Sequence, residues 1–148
     1  MKPEIPNWLI IAASCGMMLI AVLYPFIRYA VLDWYTDIRK LKPLNREIAR
    51  TYGYYIQGLN FAFGLLSILF TNELKNESGL AVALSGLIAV YWTGRVITQF
   101  SYYPMHALPD KPGYKTGIIL MNALIIFFAA VFVWLFVGNM MGYFTNNY

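Results

Sequence analysis

The most regular feature of this sequence is the alternation of four long apolar stretches with shorter polar connections. The apolar stretches cover about residues 8–27, 52–70, 79–102 and 117–137. Each approaches the roughly 20 residues that an α-helix needs to cross a ~30 Å hydrocarbon core. The pattern predicts an all-α integral membrane protein, a four-transmembrane-helix bundle with up-down-up-down topology, in which residues 1–148 form a single membrane domain.

The first connection, about residues 28–42, has a helical pattern of its own. Its charged residues off the apolar face are Asp33, Asp37 and Lys40. The pattern predicts an amphipathic extension at the membrane surface, with Trp34 and Ile38 against the membrane or the bundle. The extension is expected to end before Pro43, because the residue before a proline disfavours helix. Asn45 is then the predicted N-cap of the next helix.

The other two connections differ in character. Residues 71–78 form a short polar turn, which makes the second and third spans an antiparallel hairpin. Residues 103–114 contain three prolines and are expected to form an irregular loop. This loop holds the only histidine, His106, with no second histidine and no cysteine nearby, so no metal site is expected. No complete catalytic motif is present either, and we expect no catalytic residue and no cofactor.

The Lys and Arg residues are distributed unevenly between the two sides of the predicted bundle. The first and third connections hold eight of them, Arg28, Arg39, Lys40, Lys42, Arg46, Arg50, Lys111 and Lys115. The opposite side holds only Lys2 and Lys75. Because cytoplasmic loops carry an excess of Lys and Arg, both termini are expected outside, N-out and C-out. The net charge of +4 is thus an orientation signal, and no nucleic-acid partner is expected.

One basic residue, Arg95, lies inside an apolar stretch and not in a connection. A charge at the centre of a membrane helix costs about 2.5–3.5 kcal/mol on insertion scales, so it usually faces protein or water. Tyr91, Gln99 and Tyr102 share its face of the helix. The third span therefore has a polar face that lipid alone does not explain.

The second span has a polar stripe that is narrower still. Its members fall within about 80° on a helical wheel and are Gly53, Gln57, Asn60, Gly64, Ser67 and Thr71. Lipid does not tolerate so polar a stripe, and we expect it to pack against protein.

Depth along the helices brings polar residues of three spans to one level. Counted at 1.5 Å per residue, they lie roughly 8–12 Å from the predicted cytoplasmic boundary. The candidate ligand-binding residues of this polar layer are Arg95, Gln99, Gln57, Asn60 and Asn122, with Tyr91 and Tyr102 on the same face. The layer contains no carboxylate. Either amide oxygens satisfy Arg95 in a structural network, or Arg95 binds an anionic or carbonyl-bearing ligand such as a lipid headgroup or a quinone.

Two classes of function fit these residues. The first is a protein that binds a lipid or another small amphiphile, or an accessory subunit of a larger membrane complex. The second is a small membrane-embedded enzyme, a transferase or an oxidoreductase. The first is favoured, because general acid–base chemistry usually draws on acids, cysteine or histidine, which the layer lacks. The expected partners are the bilayer, an amphiphile and further copies of the chain, in the inner (plasma) membrane of a bacterium.

The predicted architecture resembles a known family. Four spans, about 150 residues, outside termini and a long basic first cytoplasmic loop are similar to the membrane-associated proteins of eicosanoid and glutathione metabolism. The resemblance implies a trimer with a glutathione site built from arginines and polar residues on the cytoplasmic side. The family's Arg–Asn–Glu spacing on the second helix is not found here, since Arg50 and Asn60 are too far apart and no glutamate follows Asn60 in that span. The resemblance therefore extends to architecture, and no site residue is carried over.

Overall fold

The computed structural model describes residues 4–30, 34–102 and 114–147, and every regular element in these ranges is a helix. In chain order these are α1 (Asn7–Ala30), α2 (Trp34–Arg39), α3 (Pro43–Leu69), a short 3-10 turn (Glu73–Lys75), α4 (Gly79–Ser101) and α5 (Tyr114–Asn147). The predicted loop with His106 and the predicted surface residue Asp33 lie outside the described residues.

Three helices in the described part of the chain are long and apolar enough to cross a membrane. Their membrane-compatible portions are Asn7–Arg28, Gly79–Ser101 and Lys115–Asn147. The predicted second span, 52–70, falls almost entirely in α3. This helix is 27 residues long, but its polar stripe makes it less apolar than the other three.

The helices pack as two close pairs that share one core. Helix α1 lies along α3, α4 lies along α5, and α1 also contacts α5. The large side chains buried completely between them include Trp92, Phe128, Phe132, Ile10 and Met17. Helix α1 approaches α3 closely at Gly64, where an added Cβ would lie 2.7 Å from the Ser14 carbonyl oxygen. Glycine is required there because the obstacle is backbone.

The polar stripe of α3 faces protein, as its periodicity predicts. Its buried members are Gly53, Asn60, Gly64, Ser67 and Thr71, and Gln57 is half-buried. Part of the reason is steric, since only small residues let α1 approach this face closely. The prediction that the stripe packs against protein is confirmed.

The connection between α1 and α3 differs in detail from its prediction. Ile38 in α2 is buried, while Asp37 and Lys40 are exposed, which confirms the predicted phase of this segment. Helix α3 begins at Pro43 with Lys42 as its cap residue, so the predicted N-cap at Asn45 is wrong. Proline fits the first helical position because its φ is preset and its missing N–H would have no helical partner there.

Helix α5 continues beyond the fourth predicted span to Asn147. The Asn139 Nδ2 group donates to the Leu74 carbonyl oxygen at 2.7 Å, and Asn146 Nδ2 donates to Glu77 Oε2 at 2.9 Å. These contacts hold the last turns of α5 against the turn between α3 and α4. They explain why a segment with two glycines and several polar residues remains helical.

Candidate functional site

A hydrogen bond between Asn60 and Tyr91 joins α3 to α4 within the predicted polar layer. The Tyr91 hydroxyl donates to Asn60 Oδ1 at 2.6 Å. Asn60 is buried and Tyr91 is half-buried. The Phe63 ring meets the Tyr91 ring edge-on, with centroids 5.3 Å apart. Two of the predicted site residues are therefore held together by direct contact.

The core behind Tyr91 is aromatic and fixes the orientation of its ring. Trp92 is fully buried, and its indole N–H donates to Met17 Sδ at 2.9 Å. The Trp92 ring also meets the rings of Tyr91 and Phe128 edge-on, at centroid distances of 5.3 and 4.8 Å. Helices α1 and α5 thus support the Asn60–Tyr91 contact through Trp92.

Arg95 lies one helical turn beyond Tyr91 and is half-buried. Within the residues that the structure describes, it has neither a hydrogen bond nor an ion pair. The ion pairs resolved there join Lys40 to Asp37 and Arg50 to Glu47, both at the surface. Among the described residues, no neighbouring carboxylate therefore compensates the positive charge on α4.

The other predicted site residues make no hydrogen bond to this group in the described structure. Gln99 is buried one turn beyond Arg95, and Gln57 is half-buried one turn before Asn60. Asn122 on α5 is half-buried, and its Oδ1 is a buried acceptor without a partner in the described structure. Tyr102, at the end of α4, is 78% exposed and lies outside the buried group. The layer is thus one bonded pair and several polar groups with unused hydrogen-bonding capacity.

A second polar cluster, which the sequence did not predict, lies at the opposite end of the bundle. We call this the hairpin end, formed by residues 70–78, the segment before α1 and the last turns of α5. Asn139 is buried there, and its amide donates to the Leu74 carbonyl at 2.7 Å and to Ser85 Oγ at 3.2 Å. The signal in the sequence is a single asparagine in an otherwise apolar stretch of α5, which requires a partner when buried.

The hairpin end also contains an open cavity of about 190 Å³. Its lining includes Glu4, Lys75, Glu77, Trp134 and Asn139. Lys75 Nζ donates to Asn7 Oδ1 at 2.7 Å, and Glu77 accepts from Asn146. Lys75, Glu77 and Asn139 in this lining thus have protein partners, in contrast to Arg95.

The described residues contain no group of three or more His, Cys, Asp or Glu side chains placed to hold a metal ion. The chemistry available at the polar layer is therefore that of a guanidinium, amides and phenols. These groups donate and accept hydrogen bonds and compensate negative charge. They suit recognition of a polar headgroup.

No known protein family matches this chain, and no curated protein or solved structure is significantly similar to it. The architectural resemblance to the proteins of eicosanoid and glutathione metabolism stays an expectation from the sequence, and function is argued from the residues of the site.

Proposed function

We propose that this chain is an integral membrane protein with four spans, α1, α3, α4 and α5, which binds an amphiphile with an anionic or carbonyl-bearing headgroup. The binding site is the polar layer around Arg95, in the cytoplasmic half of the bundle. Both termini lie outside, and the proposed location is the inner (plasma) membrane of a bacterium.

The surface of α3 supports its assignment as the fourth span. Its polar stripe is buried against protein, so the rest of the helix presents apolar side chains outward. These exposed side chains include Leu59, Phe61, Leu65, Leu66 and Leu69. Large exposed apolar surfaces mark contact with a partner or with lipid. Together with the candidate spans on either side, this favours a bilayer as the surroundings of α3.

The observation that carries the binding proposal is the uncompensated charge of Arg95. A guanidinium inside a membrane helix costs about 2.5–3.5 kcal/mol at the centre of the bilayer, so it normally has a counter-charge or a hydrated path. The phenol of Tyr91 and the amide of Asn60 bond to each other. Arg95 therefore keeps its donors for an external acceptor, and a carboxylate, a phosphate or a quinone carbonyl supplies one.

Native mass spectrometry of the protein extracted in mild detergent tests this proposal. The wild type should carry a small amphiphile in about one copy per chain, and Arg95→Leu should lose it while its melting temperature changes little. Arg95→Lys should retain only part of the bound amphiphile, because lysine lacks the planar fork that binds two acceptor oxygens. Arg39→Leu removes an exposed arginine of α2 and serves as the matched control, which should keep the ligand.

Two results would contradict the proposal. Loss of folding in both Arg95 variants, with no ligand in the wild type, would make Arg95 part of the scaffold. A protein partner in stoichiometric amount, with no small molecule, would favour an accessory subunit of a larger complex.

A further inference from the structure

Arg28, in the last turn of α1, lies over two aromatic rings. Its guanidinium carbon lies 4.5 Å from the ring centroid of Tyr24 and 4.5 Å from that of Trp34. Tyr24 is one turn earlier on α1, and Trp34 is the first residue of α2. A cation over an aromatic face is attracted by the ring quadrupole. The two rings therefore fix the position of the guanidinium without neutralising its charge.

Besides the two rings, the backbone of α3 at Gly53 lies against Arg28. A Cβ added to Gly53 would lie 2.7 Å from Arg28 Nη2 and 2.9 Å from its Cζ. Such distances are shorter than van der Waals contact, so a Cβ at this position would displace the guanidinium, which is the end of a flexible side chain. Three helices thus converge on one charged group, and we call this arrangement the Arg28 cradle (Tyr24, Arg28, Trp34 and Gly53).

No residue of the Arg28 cradle accepts a hydrogen bond from the guanidinium. In the described ranges Arg28 makes no hydrogen bond and no ion pair, and its Nε is buried without a partner. An arginine side chain has five N–H donors, and buried donors are almost always satisfied. An acceptor from outside the chain would complete the site.

The position of the cradle indicates the chemical class of an acceptor that fits it. Arg28 is the last residue of the first membrane-compatible helix segment, Asn7–Arg28. In the proposed topology the chain leaves the hydrocarbon region there. Lipid phosphates lie at this depth. The exposed side chains of Arg39 and Lys42 follow in the same connection and add positive charge near the surface. Clusters of Lys and Arg beside a span attract anionic lipids.

We propose that the Arg28 cradle binds the phosphate of one anionic phospholipid. The guanidinium donates N–H groups to phosphate oxygens, and the rings of Tyr24 and Trp34 hold it in position before the lipid arrives. Arginine suits this role because its planar fork matches phosphate at two points. Since the side chain is already oriented, less conformational entropy is lost on binding.

Gly53 allows a test that leaves the charge of Arg28 in place. Gly53→Ala adds one methyl group that displaces the guanidinium, whereas alanine is otherwise the better helix former. Gly58→Ala is the matched control on the same helix, because nothing lies within 4 Å of a Cβ added at Gly58. The full chain in mild detergent is titrated with phosphatidylglycerol or with zwitterionic phosphatidylcholine, and bound lipid is counted by native mass spectrometry.

The wild type and Gly58→Ala should retain about one phosphatidylglycerol per chain in preference to phosphatidylcholine. Gly53→Ala and Arg28→Gln should bind it about tenfold more weakly or worse, which corresponds to about 1.4 kcal/mol. The affinity of Arg28→Lys for phosphatidylglycerol should lie between that of these two variants and that of the wild type. Excess inorganic phosphate should not release the lipid. Loss of lipid in Gly53→Ala would also assign the bound lipid to the Arg28 cradle and not to the site around Arg95, which lies on α4.

Three outcomes would overturn the proposal. Equal lipid retention by folded Gly53→Ala or Arg28→Gln would show that the cradle does not hold the phosphate. Release of the lipid by inorganic phosphate would identify a free anion as the ligand. Unfolding of Gly53→Ala, with Gly58→Ala intact, would make the contact of Arg28 with Gly53 a structural clamp.

Discussion

The two ends of the bundle differ in whether their buried polar groups have hydrogen-bond partners within the described residues. At the hairpin end, Asn139 donates to Leu74 and Ser85, and Lys75 donates to Asn7. The other end, which we call the basic end, is formed by the last turn of α1, by α2 and by the first turns of α3 and α5. In the described residues, buried polar side-chain atoms without a hydrogen-bond partner are Arg28 Nε, Arg46 Nε, Asn122 Oδ1 and Ser67 Oγ. Arg28 Nε, Arg46 Nε and Asn122 Oδ1 lie in the half of the bundle that includes the basic end.

The difference shows which end forms its hydrogen bonds within the chain and which end keeps buried polar atoms without a partner in the described residues. A buried donor or acceptor that stays unsatisfied costs about 1–3 kcal/mol, so folding alone does not favour leaving several at one end. At the hairpin end the protein supplies both sides of each bond, and the result is a rigid link between α5 and the α3–α4 turn. At the basic end several buried groups have no partner in the described residues, and this asymmetry motivates both binding proposals.

The largest expected effect is an all-or-none difference in labelling between the two ends. In the proposed topology they face opposite sides of the membrane. Asn72→Cys and Asn45→Cys place single thiols at exposed positions of the hairpin end and the basic end, in a Cys15→Ala background that removes the exposed native cysteine. A membrane-impermeant maleimide should label Asn72→Cys in intact cells and Asn45→Cys only after the membrane is opened. Labelling of both in intact cells would reject the four-span topology.

The next largest effect is on stability and compares two asparagines of one helix. Asn139→Leu removes a donor to the Leu74 and Ala81 carbonyls and the Ser85 hydroxyl. It should lower the free energy of unfolding by about 1–3 kcal/mol. Asn122→Leu removes a buried acceptor that has no partner, and it should leave the stability of the ligand-free protein unchanged or raise it. Unfolding of both variants in one detergent measures the difference. Equal destabilisation would show that the two ends do not differ as described.

The smallest effect is expected for the exposed ion pair at the basic end. Lys40 Nζ and Asp37 Oδ1 are 2.7 Å apart, and this hydrogen bond and the charge of Asp37 raise the pKa of Lys40 above its usual value. A raised lysine pKa adds stability that is present below the usual pKa and lost as the pH rises through the higher value. Between about pH 6 and pH 9, Lys40→Ala should therefore melt like the wild type at every pH, because exposed pairs contribute little. A melting temperature of Lys40→Ala that lies clearly below that of the wild type throughout this window would give the pair a larger role.

The sequence was most informative wherever a pattern has a period. The polar stripe of α3 and the phase of Ile38 against Asp37 and Lys40 are periodic features, and both were confirmed. End positions were less certain, because they depend on contacts with distant segments. The start of α3 at Pro43 depends on local backbone preference, but the continuation of α5 to Asn147 depends on the turn between α3 and α4.

For the candidate site, the sequence placed Asn60 at the depth of Arg95 and Tyr91 on the helix face of Arg95, but it did not predict the hydrogen bond between Asn60 and Tyr91. Helical spacing gives the depth and the face of a residue. It does not give the separation and rotation of two helices, which decide whether two side chains come within 3 Å. The same limit explains why the Arg28 cradle was not predicted, since its members come from three helices.

The sequence by itself determined the helical class of this protein, its apolar segments and the buried face of α3, because these follow from hydrophobic periodicity within single segments. Only the tertiary structure decided which polar groups are satisfied. Asn139 has its partners because the turn after α3 packs against α5, and Arg28 meets Gly53 because α1 crosses α3 there. Hydrogen bonds and cation–π contacts require positions fixed to within about an ångström, and that precision arises only when distant segments pack together.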